Sequence, residues 1–387
     1  MKPLLSILVA TRNRIPYCIN LIEAILLFEY ENFELVIQDN SDSQELSKFA
    51  LTKTNDKRLV YNYTPPPFSS IDNFNEVLKL ASGDYVCLLG DDDGVLFEIF
   101  ELVEWAKQNN IQGIYPKFTV MYRWPDACSL LPQYSKFNGN LEIFDFNGKI
   151  EYCNVKKNYN SLLDYSGLNL LNLKAPKLYH GIIKRSCIED YKNKLGFYVG
   201  GLSPDIYFAV ALSQVIKTFV FINYPIFVSG VCKVPILERM NVQIDLPHQA
   251  PHYRNRGQYE WSSKVPYFYS PENIWSDSLI AALKDLKLES DSKKVNLNYL
   301  YHILQNKYPE RIDEIRKVSK LNSTYFKYIS FFYTVNFKLK NSFNKVLNKL
   351  SNFNRKPNVN FDNIVDIKSA IDKTQFFLKE NNIKLNF

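Results

Sequence analysis

The sequence predicts an α/β fold on a mainly parallel sheet, followed by a helical C-terminal extension. Three observations carry that expectation. Over the first hundred residues, short runs rich in Val, Ile and Leu alternate with longer amphipathic ones. Charged residues gather where the strands end, and from residue 290 the pattern turns helical and rich in Asn and Lys. Strand–helix alternation is the pattern of a parallel sheet with right-handed crossovers, and ligands of such sheets lie beyond the carboxyl ends of the strands.

Taken in order, "LLSILVA" (4–10), "FELVIQD" (33–39), "RLVYNYT" (58–64) and "DYVCLLG" (84–90) are expected as strands. Helices are expected over 16–30, after the "SDS" cap signal at 41–43, and over 72–82. In the middle of the chain, 177–186 and 218–230 read as strands and 203–216 as a helix, and a last helix is expected over about 362–381. At 387 residues the chain exceeds one ordinary core. The pattern divides it at 1–115, 116–288 and 289–387.

Composition narrows the class. With 46% hydrophobic residues, 26 Tyr, 27 Phe and only 13 Gly, the chain has the material of a folded core. Six cysteines, at 18, 87, 128, 153, 187 and 232, lack CxxC spacing, which disfavours a zinc site or a disulfide framework. The apolar run at the N-terminus is seven residues long, too short for a signal h-region or a membrane span, so a reduced cytoplasmic protein is expected. The formal charge of +7 is uneven: residues 290–387 carry 18 Lys+Arg against 8 Asp+Glu, and residues 1–289 are net acidic. Between Glu314 and Asp362 there are ten Lys+Arg and no acid, interleaved with Phe, Tyr and Leu. Residues 315–361 therefore suit adsorption to an anionic membrane surface. Nucleic acid is not expected as a partner.

The stretch "YVCLLGDDDG" (85–94) runs a buried-type strand into Asp91, Asp92 and Asp93. Three carboxylates so close repel one another unless a cation offsets them, and Mg²⁺ or Mn²⁺ bridging two phosphates is such a cation. The alternative is a solvated acidic turn. Thr11, Arg12 and Arg14 follow the first strand and Asp39 ends the second, so polar residues collect at one rim, the natural edge for a nucleotide. Asp205, in "GGLSPDIYFAVAL", lies in the first turn of a helix signalled by Ser203-Pro204, where a carboxylate also complements the helix dipole. His180 lies in a strand, while His248 and His252 sit with two arginines in the proline-flanked loop "HQAPHYRNRG", suited to a lid over a diphosphate or to a plain surface loop.

The succession "SILVATRNR", "ELVIQDNSDS" and "NEVLKLASGDYVCLLGDDDG" resembles the family 2 glycosyltransferases of the GT-A fold, over roughly the first 110 residues. The resemblance implies a Rossmann-like mixed, mainly parallel sheet flanked by helices, with 1–115 as the nucleotide-sugar half and 116–288 as the acceptor half. It implies inverting, metal-dependent transfer from a nucleotide sugar, a UDP-sugar first, with Mn²⁺ or Mg²⁺ as cofactor. Carried over by position, Thr11 and Arg14 would touch the nucleotide, Asp39 the base or ribose, and Asn75 the diphosphate, although Phe74 replaces a basic residue there. Asp92 and Asp93 would be metal ligands, Asp91 a second ligand or ribose contact, and Asp205 the base; His180 could touch the acceptor. The implied acceptor is a glycan or lipid-linked glycan of a surface polysaccharide such as capsule or O-antigen, with the protein in the cytoplasm or peripheral on the inner membrane face. A nucleotidyltransferase, which would want a glycine-rich first loop, and a non-catalytic glycan-binding or scaffold protein are the alternatives.

Overall fold

The computed structural model describes residues 2–128, 132–233, 244–319 and 359–387. Its first unit follows the predicted alternation: β1 (Leu5–Thr11), α1 (Ile15–Leu26), β2 (Phe33–Asp39), α2 (Glu45–Leu51), β3 (Leu59–Tyr63), α3 (Ser70–Leu80) and β4 (Tyr85–Leu89). β1 pairs in parallel with both β2 and β4, and β2 with β3, the register running from Leu5 opposite Phe33 to Thr11 opposite Asp39. All residues of β2 and β4 are buried. Helices cover both faces of such a parallel sheet, so β4 is apolar throughout and β2 is apolar at its centre, Leu35–Ile37. α3 starts where Ser69 and Asp72 cap each other reciprocally, which sets the helix against β1 and β2.

Beyond β4 the chain adds β5 (Gly94–Val95), α4 (Ile99–Gln108), β6 (Gly113–Pro116), β7 (Val120–Arg123), β8 (Leu141–Ile143), β9 (Ile150–Tyr152), α5 (Val155–Asp164), β10 (Ile182–Lys184), α6 (Arg185–Leu195), α7 (Pro204–Ser213), β11 (Phe219–Ile222) and β12 (Phe227–Val231). β10 enters the main sheet antiparallel between β4 and β6, so the sheet is mixed, with the order β3-β2-β1-β4-β10-β6-β11-β9. This mainly parallel sheet flanked by helices is the α/β, GT-A type of architecture expected. A second sheet, β13-β8-β7-β12-β5, includes β13 (Val359–Phe361) from the C-terminal region.

Two strand expectations need correction. The run 218–230 is two strands in different sheets, because Pro225 has no N–H to donate and the chain changes sheet there. Only 182–184 of the run 177–186 is strand: Lys177–Gly181 forms a tight turn, in which a Cβ on Gly181 would stand 1.9 Å from the Lys177 carbonyl oxygen.

Past residue 290 the chain forms the helices expected there, Leu297–Lys307, Ile312–Ser319 and Ile367–Glu380, and a further helix, Pro271–Asp285, precedes them. The last helix buries Ile367, Ala370, Ile371 and Leu378 in the same apolar cluster as β1, β2 and α1. No helix among the described residues is long and apolar enough to cross a membrane. Most of the basic segment 315–361, expected at a membrane surface, falls in 320–358, outside the described residues.

β4 reaches the rim at the right depth because Gly83 lets it enter close to β1; a Cβ there would lie 2.6 Å from the Ser6 backbone nitrogen and 2.9 Å from the Leu5 carbonyl carbon. Gly83→Ala should therefore destabilise the fold by about 1–3 kcal/mol, the usual cost of overpacking. Urea denaturation measures it, and an unchanged midpoint would refute the close approach.

Candidate active site

The end of β4 delivers three buried aspartates into one turn, where the first two share Arg14 and the third meets a separate set of donors. Thr11 Oγ1 donates to Asp91 Oδ2 at 2.6 Å, and Arg14 Nη1 stands 2.8 Å from Asp91 Oδ1. The other arm of the same guanidinium, Nη2, lies 2.7 Å from Asp92 Oδ2, which also accepts from the Cys232 backbone N–H at 3.3 Å. Asp93 is held by four donors or ring contacts: Gly90 N–H at 2.7 Å, Tyr179 OH at 2.7 Å, His180 Nε2 at 2.8 Å and Gly230 N–H at 2.8 Å. Gly230 can approach because it lacks a Cβ, which would sit 1.8 Å from the Asp92 carbonyl oxygen. Trp124 Nε1 donates to that same oxygen at 3.0 Å.

Burial drives the electrostatics. It pushes Asp91 up to about 7 against the pull of Arg14, and raises Asp92 with help from the charge of Asp93. For Asp93 burial acts upward too, but the His180, Tyr179 and Gly230 contacts outweigh it and hold the carboxyl below the usual range. Desolvation opposes the charge on Arg14, yet Asp91 and Asp92 reverse that and raise its pKa.

These contacts decide which residues suit a divalent cation. Asp93 has given its oxygens to protein donors, and Asp91 is shared between Thr11 and Arg14. The contacts of Asp92 with other described residues all fall on Oδ2, which leaves Oδ1 as the carboxylate edge without a partner from another described residue. No group of three or more His, Cys, Asp or Glu able to hold a metal occurs among the described residues. The arrangement fits Mg²⁺ or Mn²⁺ only in the manner of ions bound by one carboxylate together with substrate phosphates, with Asp92 as the protein ligand and Asp93 as its neighbour.

Beside the turn lies a cavity of about 180 Å³, lined by Thr11, Arg12, Asn40, Asn73, Phe74 and Arg254 among others. Arg12 bonds Asn40 Oδ1 and the Phe68 carbonyl, each at 3.3 Å, and pairs with Asp42 at 3.1 Å. Asn73 donates to the Thr11 carbonyl at 3.1 Å, while its Oδ1 is buried without a partner. An unpaired buried acceptor costs free energy that a ligand donor would recover.

The structure does not bring every expected nucleotide residue to that cavity. Asp39 is fully buried, accepting from the Ser41 N–H at 2.8 Å and the Tyr61 OH at 2.7 Å, and the neighbouring Asn40 lines the cavity instead. The Asn75 side chain is spent on backbone: it donates to the Ile71 and Val199 carbonyls and accepts from the Tyr198 and Val199 N–H groups. It ties α3 to the chain before Gly200, and its diphosphate role has no free atoms to serve it. Asn40 lies in the run "ELVIQDNSDS" and Arg254 in the loop "HQAPHYRNRG", whereas Asn73 carries no motif and its place emerges only from the packing of α3 on β1.

Asp205 sits in the first turn of α7, with no hydrogen bond or ion pair to the described residues. Burial raises its pKa, while the charges of Lys177 and His180 act in the opposite direction. Lys177 is itself buried, its ammonium 4.3 Å above the Tyr115 ring, and desolvation lowers its pKa to about 8. His180 has a left-handed φ of +54°, which turns its ring onto Asp93 and stacks it on Phe227. It is thus a link between Asp93 and the surroundings of Asp205. His248 is exposed and faces Tyr267 OH at 3.0 Å, and His252 lies in the short helical turn Pro251–Tyr253. The same loop brings Arg254 to the cavity.

Residues 6–155 match the family model described as Glycosyl transferase family 2. The Escherichia coli (strain K12) protein WcaA, named as a colanic acid biosynthesis glycosyl transferase, is 34% identical over 93 residues, 24% of this chain and 33% of WcaA. An uncharacterised glycosyltransferase of Rickettsia felis (strain ATCC VR-1525 / URRWXCal2) is 27% identical over 106 residues, 27% of this chain and 17% of the relative. The chain thus spans a third or less of the length of these relatives. Among solved structures, Staphylococcus aureus TarS 1–349 aligns with 82% of this chain and 90% of its own at 15% identity and a TM-score of 0.44. Its complex with UDP-GlcNAc aligns over the same shares at 14% identity and a TM-score of 0.43. The segment that matches the glycosyl transferase family 2 model thus runs from β1 through the aspartate turn to the start of α5.

Proposed function

We propose that the protein transfers a sugar from a nucleotide-sugar donor to a hydroxyl of a glycan acceptor, with inversion, in one displacement. The observation that carries this reading is the grouping of a polar cavity lined by Thr11, Arg12, Asn40 and Asn73, the charge-compensated aspartate turn, and the carboxylate of Asp205, which feels the charge of the His180 that binds Asp93. In this reading the nucleotide lies against Arg12, Asn40 and Asn73, with Arg254 closing from the opposite loop. Asp205 accepts the proton of the acceptor hydroxyl as its oxygen bonds to the anomeric carbon and the bond from that carbon to the diphosphate breaks. Asp92 would hold a divalent cation, which when bound would supply Lewis-acid stabilisation of the leaving diphosphate. Arg14 keeps Asp91 and Asp92 from repelling that diphosphate.

A uridine nucleotide is the first donor to test, and a surface polysaccharide is the acceptor in keeping with the name of WcaA. Contact of the segment 315–361 with an anionic membrane would bring the enzyme to a lipid-linked form of that acceptor. Incubation with a panel of sugar nucleotides, with and without Mn²⁺ or Mg²⁺, tests the reading through slow donor hydrolysis. Hydrolysis of no donor, together with no binding of UDP by calorimetry, would overturn it.

Two substitutions probe the roles separately. Arg12→Ala should weaken UDP binding about tenfold or more, since a hydrogen bond from a charged group contributes about 1.5–3 kcal/mol; unchanged affinity would move the nucleotide elsewhere. Asp205→Asn should keep UDP binding and lose transfer by about 10²–10⁴-fold, the usual share of a general base. Because the Asp205 pKa is raised and the base must be ionised, wild-type transfer should fall as pH drops through a value above the usual carboxylate range. The Asn variant should lack that acidic limb, and a retained limb would assign the base to another group.

A further inference from the structure

A second cavity, of about 710 Å³, opens on the far side of α3 from the nucleotide cavity. The two share Phe68, and they use different faces of one helix: Ser70, Asn73 and Phe74 toward the nucleotide side, Asp72, Asn75, Glu76 and Lys79 toward the larger cavity. Gly200 and Gly201 form part of its wall and lead directly into the first turn of α7, which carries Asp205. Its volume lies in the range of small-molecule sites, and nothing in the donor chemistry uses it.

The lining has a particular chemistry. Its lysines are matched, Lys79 to Glu76 and Lys284 to Glu260. Two carboxylates are not. Asp277 is 1% exposed and forms no ion pair with the described residues; each of its oxygens accepts one hydrogen bond, from Tyr259 OH at 2.7 Å and from the Ser262 N–H at 2.8 Å, and keeps a further lone pair. Asp285 accepts from Tyr207 OH at 2.9 Å through Oδ2 alone. A Cβ on Gly200 would stand 3.0 Å from that oxygen, so glycine keeps the carboxylate clear of its neighbour. Among these acceptors stand the rings of Phe197, Tyr259 and Trp261, and Trp261 is fixed by its Nε1–H bond to the Val265 carbonyl at 2.9 Å. The Nε of Arg256, above the Tyr259 ring, is buried without a hydrogen-bond partner.

Carboxylates lacking a counter-ion repel an anionic ligand and accept well from hydroxyls, while aromatic faces stack on C–H surfaces. We infer that this cavity binds a neutral saccharide, the portion of the acceptor glycan adjoining the sugar whose hydroxyl reacts. The inference rests on the transferase reading for the word acceptor; the saccharide site itself stands on the cavity alone. A phosphorylated or uronate-bearing glycan is disfavoured, because each lining cation already faces a carboxylate: Lys79 faces Glu76, Lys284 faces Glu260, and Arg256 faces Asp72 at 4.0 Å.

The test uses the full chain on an array of neutral oligosaccharides and their uronate-bearing counterparts, with UDP calorimetry alongside. Wild type should bind neutral members in preference, and Trp261→Ala and Asp285→Asn should each lose tenfold or more of that affinity while UDP binding changes less than twofold. Asp285→Asn guards against a folding defect, since the amide oxygen can still accept from Tyr207. Preference for the anionic members, equal binding by both variants, or no saccharide bound by wild type would overturn the inference. Loss of UDP binding in wild type would instead remove the transferase reading, and the array would still decide whether the cavity takes a saccharide.

Discussion

Three carboxylates buried at the end of one strand can share a turn only if their charge is answered from within the protein, and Arg14 gives most of that answer. Its two terminal nitrogens reach Asp91 and Asp92 at 2.8 and 2.7 Å. Removing one partner of a buried ion pair typically costs about 3–5 kcal/mol, since the other charge is left without compensation. The position of Arg14, three residues past the end of β1, is therefore tied to the parallel pairing of β1 with β4. The rim of the sheet is a charge-balanced unit before any ligand arrives.

The third carboxylate has another office. Asp93 draws together Gly90 from its own turn, Tyr179 and His180 from the turn before β10, and Gly230 from β12. It is the point at which the matched domain, the antiparallel insertion and the second sheet meet. A carboxylate with that many donors is a structural anchor, and the open edge of the cluster passes to Asp92. The same logic explains Asn75, which matches the family pattern in spacing yet joins α3 to the chain ahead of Gly200.

Much of the fold was legible. The four parallel strands and three helices of the first unit fall within a few residues of expectation because their residues obey simple periods: continuous burial in β2 and β4, and a one-sided apolar stripe in α1 and α3. The middle was harder. The run 218–230 looks like one strand, since local composition does not reveal that two sheets compete for its halves. The return of β13 and the helix Ile367–Glu380 to the N-terminal core is equally invisible, because contacts across more than two hundred residues leave no local period.

For the site, the sequence by itself determined which residues carry charge and on which edge of the sheet they stand: Thr11, Arg14 and Asp91–Asp93 at strand ends, and Asp205 in the first turn of a helix. Only the tertiary structure decided what each does with that charge. Whether an aspartate is a free ligand or an anchor depends on donors from distant segments, as Tyr179, His180 and Gly230 show for Asp93, and as Ser41 and Tyr61 show for Asp39. Lys177 and Asn73 gain their meaning only from burial beside Asp205 and Thr11. The reason is physical: charge is a property of the residue, whereas desolvation and hydrogen bonding belong to the assembled surroundings.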